Sequence, residues 1–224
     1  MRSRTVILHS PVAARPAGGA GARQAARTDD VGWHMDDREG VEGWLRAVAY
    51  DDLRTEGGVR PMVVAYAADH PLVLARLRPF RPGEGESAVT EVLDVAVALG
   101  ADRLAACFGG WARRLPGGPQ VEGRSDAREI VLIAVAQRRN GAPAVRCTIT
   151  ACEHTGGRPR WGRTVASDGM GGWLAATLAR ALDPPRSGRT TPPSTPGRAT
   201  MLALRCITLG HELHVPVPTE ATRP

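Results

Sequence analysis

Two groupings of cysteine and histidine have the residue types of a metal site. Cys147, Cys152 and His154 form a C-x4-C-x-H pattern, and Cys206, His211 and His214 form C-x4-H-x2-H. Zinc takes four thiolate or imidazole ligands, commonly delivered as short-spaced pairs. Cys147 and Cys152 are five apart, an odd spacing that turns them to opposite faces of a regular strand. Only Cys152 and His154 can share a face, and the second grouping lies beyond a Pro-rich stretch. The expectation is reduced thiols and no metal, with Cys107 and Cys147 as small core residues.

Three further patterns have catalytic or cofactor-binding precedents. Asp69-His70 sets a carboxylate beside an imidazole it could orient, yet adjacent Asp and His before Pro71 are also good turn formers. Gly169-Met170-Gly171-Gly172 could open a phosphate-holding helix N-terminus. The dinucleotide fingerprint needs a third Gly where Leu174 stands, and Asp168 would put a negative charge at the mouth. Ser167 or Asp168 as a helix cap is the plainer reading. Gly123-Arg124-Ser125 resembles a nucleophile elbow without its final Gly, placed in a loop rather than between strand and helix. No catalytic residue is assigned, and no cofactor is expected.

Composition excludes more. All 29 basic residues of the 224 are Arg. Without lysine there is no Walker A phosphate loop, no Schiff-base lysine and no kinase ATP lysine. The Arg, Ala, Gly and Pro bias is that of a very GC-rich genome. The formal charge of +6 sits in the ends. Residues 1–34 hold five Arg and two Asp, residues 186–224 hold five Arg and two Glu, and residues 35–185 are balanced. A nucleic-acid binder concentrates its basic residues on one folded face, whereas here Arg alternates with acid, as in Asp36-Asp37-Arg38-Glu39. Nucleic acid is therefore not the expected partner. No apolar run approaches the roughly 20 residues of a membrane span, and Val6-Ile7-Leu8 is too short for a signal-peptide core. The expected location is the cytoplasm, with no membrane association.

The elements that must position these residues follow from periodicity. Residues 1–34 read as a disordered Arg/Gly/Ala-rich leader, with Met35 as an alternative initiator. Residues 35–185 read as one domain, 186–200 as a Pro-rich linker and 201–224 as a tail, whose apolar patch Met201–Leu209 could add an edge strand but is expected to stay loose. Within the domain, Val41, Trp44, Leu45 and Val48 mark a first helix face. Residues 61–67 and 72–78 form a hairpin, and Ser87 caps a helix over 88–99 that ends at Gly100. A strand over 102–108 follows, then a loop at 115–128. Glu129–Ala136 is the most apolar run and belongs at the centre of a sheet. Asn140-Gly141 turns it into 144–150, 160–166 makes a sixth strand, and Leu174, Leu178 and Leu182 mark the last helix. The order α-β-β-α-β-β-β-β-α predicts an α+β domain with a mostly antiparallel sheet of about five to six strands.

That element order is similar to the roadblock and profilin-like folds, with one strand more and no diagnostic motif. Arg60–Gly109 resembles uncharacterised proteins of high-GC bacteria. The roadblock resemblance implies pairing through sheet edges or helices. Three functions are open at this stage. The first is a non-enzymatic α+β interaction or scaffold module, binding itself or an operon partner, with a homodimer as one form. The second is a small hydrolase or transferase whose pocket gathers Asp69, His70, Asp168 or Cys152. The third is a weak nucleic-acid binder acting through its Arg-rich tails. Of the tryptophans, Trp44 and Trp173 fall on helix faces, where core packing competes with an exposed contact patch.

Overall fold

The computed structural model describes residues 38–68, 70–112, 128–155, 158–167, 172–183 and 196–215. Eleven elements follow one another: α1 (Arg38–Glu56), β1 (Met62–Ala67), β2 (His70–Arg76), α2 (Gly85–Ala98), β3 (Arg103–Ala112) and β4 (Arg128–Arg139), then β5 (Ala142–Thr155), β6 (Arg158–Ser167), α3 (Gly172–Leu182), α4 (Pro196–Thr208) and β7 (Glu212–His214). The strands form one antiparallel sheet in the order β6-β5-β4-β3-β1-β2-β7. The class is α+β, as the element order predicts, with seven strands where five to six were expected.

The sheet is apolar on both faces because both are covered. Along β4 the alternates part as a period of two requires. Ile130, Leu132, Ala134 and Ala136 join the core under α2 and α3, while Val131, Ile133 and Val135 join the core under α1. All seven are at most 2 % exposed. Cys147 and Cys152 likewise fall into opposite cores, and Cys107 shares the α1 side. Val41, Leu45, Ala49 and Leu53 form the buried stripe of α1, with Trp44 and Val48 half-buried beside it. Trp173 packs edge-on against Phe108 in the other core, ring centroids 5.7 Å apart.

Turn chemistry sets the connections. Asn140 and Gly141 both have positive φ (51° and 79°), which a two-residue hairpin turn of this type requires. The first hairpin is tighter than expected, since β1 runs to Ala67 and β2 starts at His70. Helix α2 starts at Gly85, ahead of the expected Ser87 cap. Its N-cap is Glu84, without a side-chain cap bond, and Ser87 instead bonds Glu91 one turn on. Gly85 lets the helix begin there: a Cβ would stand 3.1 Å from the Trp173 ring.

The largest correction concerns the C-terminal segment. Met201–Leu209 does not stay loose: residues 196–208 are helical, and the chain then returns as β7 to pair with β2. The linker expected over 186–200 therefore gives way to helix at Pro196, a residue well suited to a first helical turn. Gly210 (φ 95°) ends α4. Its N–H bonds the Ile207 carbonyl and the His211 N–H bonds the Cys206 carbonyl, the paired bonds of a left-handed helix stop. That stop folds His211 inward.

Candidate functional site

Helix α4 lies on the outer side of α2, and the two enclose an open cleft of about 520 Å³ lined by Glu86, Ser87, Glu91, Asp94, Arg205 and Cys206 among others. Glu91 organises its floor. Arg78 donates to the Glu91 carboxylate from Nε and Nη2, each at 3.2 Å, and Ser87 Oγ donates to Oε1 at 3.2 Å. His211 is 3 % exposed and stands with Nε2 2.7 Å from Glu91 Oε2. The Arg78 backbone N–H donates to His211 Nδ1 at 3.2 Å. A ring nitrogen that accepts carries no proton, so the neutral imidazole holds its proton on Nε2 and donates it to Glu91. Cys206 Sγ donates to the Glu91 carbonyl at 3.2 Å.

The electrostatics follow from these contacts. Burial pushes the Glu91 carboxyl up, but the hydrogen bonds from Arg78 and His211 outweigh it and hold the group below its ordinary value. Burial, then the nearby Glu91 and Asp94, push the Cys206 thiol up. A protonated thiol already spent as a donor is a poor nucleophile. An imidazole with both nitrogens engaged is no free base. The arrangement therefore fastens α4 and β7 to the sheet. On the other side of β7, Arg60 pairs with Glu212, and Asp52 of α1 takes Arg76 of β2 at 2.6 and 3.0 Å.

What this fastening presents is apolar. Helix α4 turns Ala199 and Cys206 inward, with Leu202 and Ala203 half-buried. Its outer side carries Met201 (67 % exposed), Leu204 (54 %) and Ile207 (54 %). Together they make an apolar patch of about a few hundred Å², a size that is often functional on a monomer's surface.

The residues singled out in sequence are mostly elsewhere. His70 is exposed at the start of β2, while Cys152 is buried on β5, four strands away across the sheet order; at strand spacing that is about 19 Å. The described members of the hydrolase set are thus not brought together. Asp69, Asp168, Ser125 and the stretch from Gly169 to Gly171 lie outside the described residues. His154 is on β5, and His214 is exposed on β7. Among the described residues no three His, Cys, Asp or Glu side chains stand as a metal set, and none of the helices is long and apolar enough to cross a membrane. Of the zinc-like grouping, Cys206 and His211 do meet at one place, around Glu91, as structural donors.

Sequence reading missed Arg78, Glu91 and the α4 stripe. The available signal was Gly210 after an apolar three-residue spacing at 201, 204 and 207, which marks a helix with a glycine stop. No family model matches the chain, and neither a curated protein nor a solved structure matches it.

Proposed function

We propose that this protein is a non-enzymatic interaction module that binds a protein chain, a copy of itself or another polypeptide, through the outer side of α4. The carrying observation is the exposed row of Met201, Leu204 and Ile207 on a helix fastened at its end by a buried network. A rigid apolar surface loses little conformational freedom on binding, so its burial goes into affinity. The same network engages the thiol and imidazole nearest the cleft, which favours the interaction reading over the hydrolase or transferase one.

The test uses the full-length chain at native abundance in an extract of its own cells. Wild type is expected to elute well above its 23.8 kDa mass, and a Leu204→Glu variant at that mass with its melting midpoint unchanged. Elution of wild type as a monomer would overturn the proposal.

A further inference from the structure

We infer that α4 and β7 form a strap that opens from the domain as one unit, with the Glu91 carboxylate as its latch. What opening does to the outer row of α4 rests on the interaction reading; the opening itself does not.

The core is complete without the strap. Helix α1 covers one face of the sheet, and α2 and α3 cover the other. Among the described elements, α4 packs only on α2 and β7, and β7 only on β2 and α4. Helix α3, by contrast, packs on α2 and on β3, β4 and β5. From α4 only Ala199 and Cys206 are buried among the described residues, with Leu202 and Ala203 half-buried, and β7 adds the half-buried Leu213. Strand β7 pairs with β2 at Leu74, Ala75 and Arg76 alone, on the edge of the sheet. Segments with so few buried apolar contacts open at a lower cost than a core does.

What holds the strap is mostly polar, and it converges on Glu91. The Glu91 carboxylate accepts from His211 of the strap and from Arg78 and Ser87 of the body, and the Glu91 carbonyl accepts from Cys206 Sγ. The other anchors stand in water. Arg60 pairs with Glu212, and the charges of Arg198 and Arg205 act on Asp94 of α2. Exposed pairs contribute little, whereas a buried bond to a charged group contributes more. Losing the carboxylate also leaves a buried imidazole N–H without its acceptor. One contact therefore frees the strap while both cores stay covered. Opening bares the main-chain edge of β2 at Leu74–Arg76 and takes the outer row of α4 from its fixed place, so that row is presented only while the strap is closed.

The experiment is thiol labelling of the dilute full-length chain at pH 7 with an uncharged aromatic disulfide, each position read by peptide mass. Cys206, Cys107 and Cys147 are all at most 2 % exposed, and the last two lie within the two cores. Cys206 is expected to react at least about tenfold faster than either. Amides of α4 and β7 should exchange at one common rate, ahead of those of β3 and β4. Glu91→Gln should raise the Cys206 rate a further tenfold or so. The Cys107 rate should not change, which also shows that the core of the variant is folded.

Cys206 labelled no faster than Cys107 in wild type would overturn the strap. Fast labelling of Cys206 with β7 amides as slow as those of β3 would overturn it too, because the reagent would then have entered through the cleft. A Cys206 rate that Glu91→Gln leaves unchanged would overturn the latch. Labelling needs no occupant on α4, so it succeeds or fails apart from the elution that tests the interaction reading.

Discussion

His211 Nε2 lies 2.7 Å from Glu91 Oε2, a contact between residues 120 apart in the chain. It joins the last strand to the second helix, and Arg78 bonds both partners. The outer row of α4 is presented where it is because this contact holds.

Acid should release that hold. The Glu91 carboxyl is lowered in the folded state relative to its ordinary 4.5. Its contribution to stability is therefore complete above about pH 4.5 and lost as pH falls through the lower folded value. Glu91→Gln should cost about 2 kcal/mol at pH 7, the scale of hydrogen bonds to a charged group, and should flatten the acid limb of the stability curve. Urea titrations at pH 7 and pH 3 check this; equal losses for wild type and variant between the two pH values would contradict it.

Gly210 should resist substitution for a backbone reason. Its φ is 95°, while an added Cβ would meet Arg78 only at an ordinary 3.7 Å. Gly210→Ala should cost about 1 kcal/mol through strain alone. Amide exchange should show the loss first in α4 and β7, with the Leu132 amide unaffected.

Tyr66 predicts a gain. The side chain is 1 % exposed and its hydroxyl has no hydrogen-bond partner among the described residues, and burial raises the phenol well above its usual range. Tyr66→Phe removes a desolvated donor and should leave stability unchanged or raise it by up to about 1 kcal/mol. A clear fall in melting midpoint would reveal a partner.

Core and surface should separate cleanly. Leu132 is 1 % exposed at the centre of the sheet, so Leu132→Ala should cost about 2–5 kcal/mol, a large part of the 5–15 kcal/mol of a typical domain. Met201→Ala should stay within about 0.5 kcal/mol. Paired denaturant titrations measure both.

The central fold was legible because its signals are local. The unbroken apolar run of β4, the Asn140-Gly141 turn and the odd spacing of Cys147 and Cys152 each fix geometry over a few residues. The C-terminal part was not, for two physical reasons. The apolar spacing at 201, 204 and 207 marks a short helix without saying what it packs on, and a Pro-rich stretch before it reads as the end of a domain. Whether such a segment docks is decided by tertiary partners, here Glu91, Arg78 and β2. Those partners are scattered, single residues with no spacing to announce them. The sequence patterns at Asp69, Asp168 and Ser125 lie outside the described residues.

Oxidative footprinting of the methionines reads the proposed surface itself. Met201 is 67 % exposed and Met62 only 2 %, so Met62 is an internal control. In dilute purified chain Met201 should oxidise readily and Met62 slowly. In intact cells at native abundance, where the surface is occupied, Met201 should be protected nearly as well as Met62. Oxidation of Met201 in cells at the rate of the dilute chain, with Met62 still protected, would contradict an interaction surface on α4.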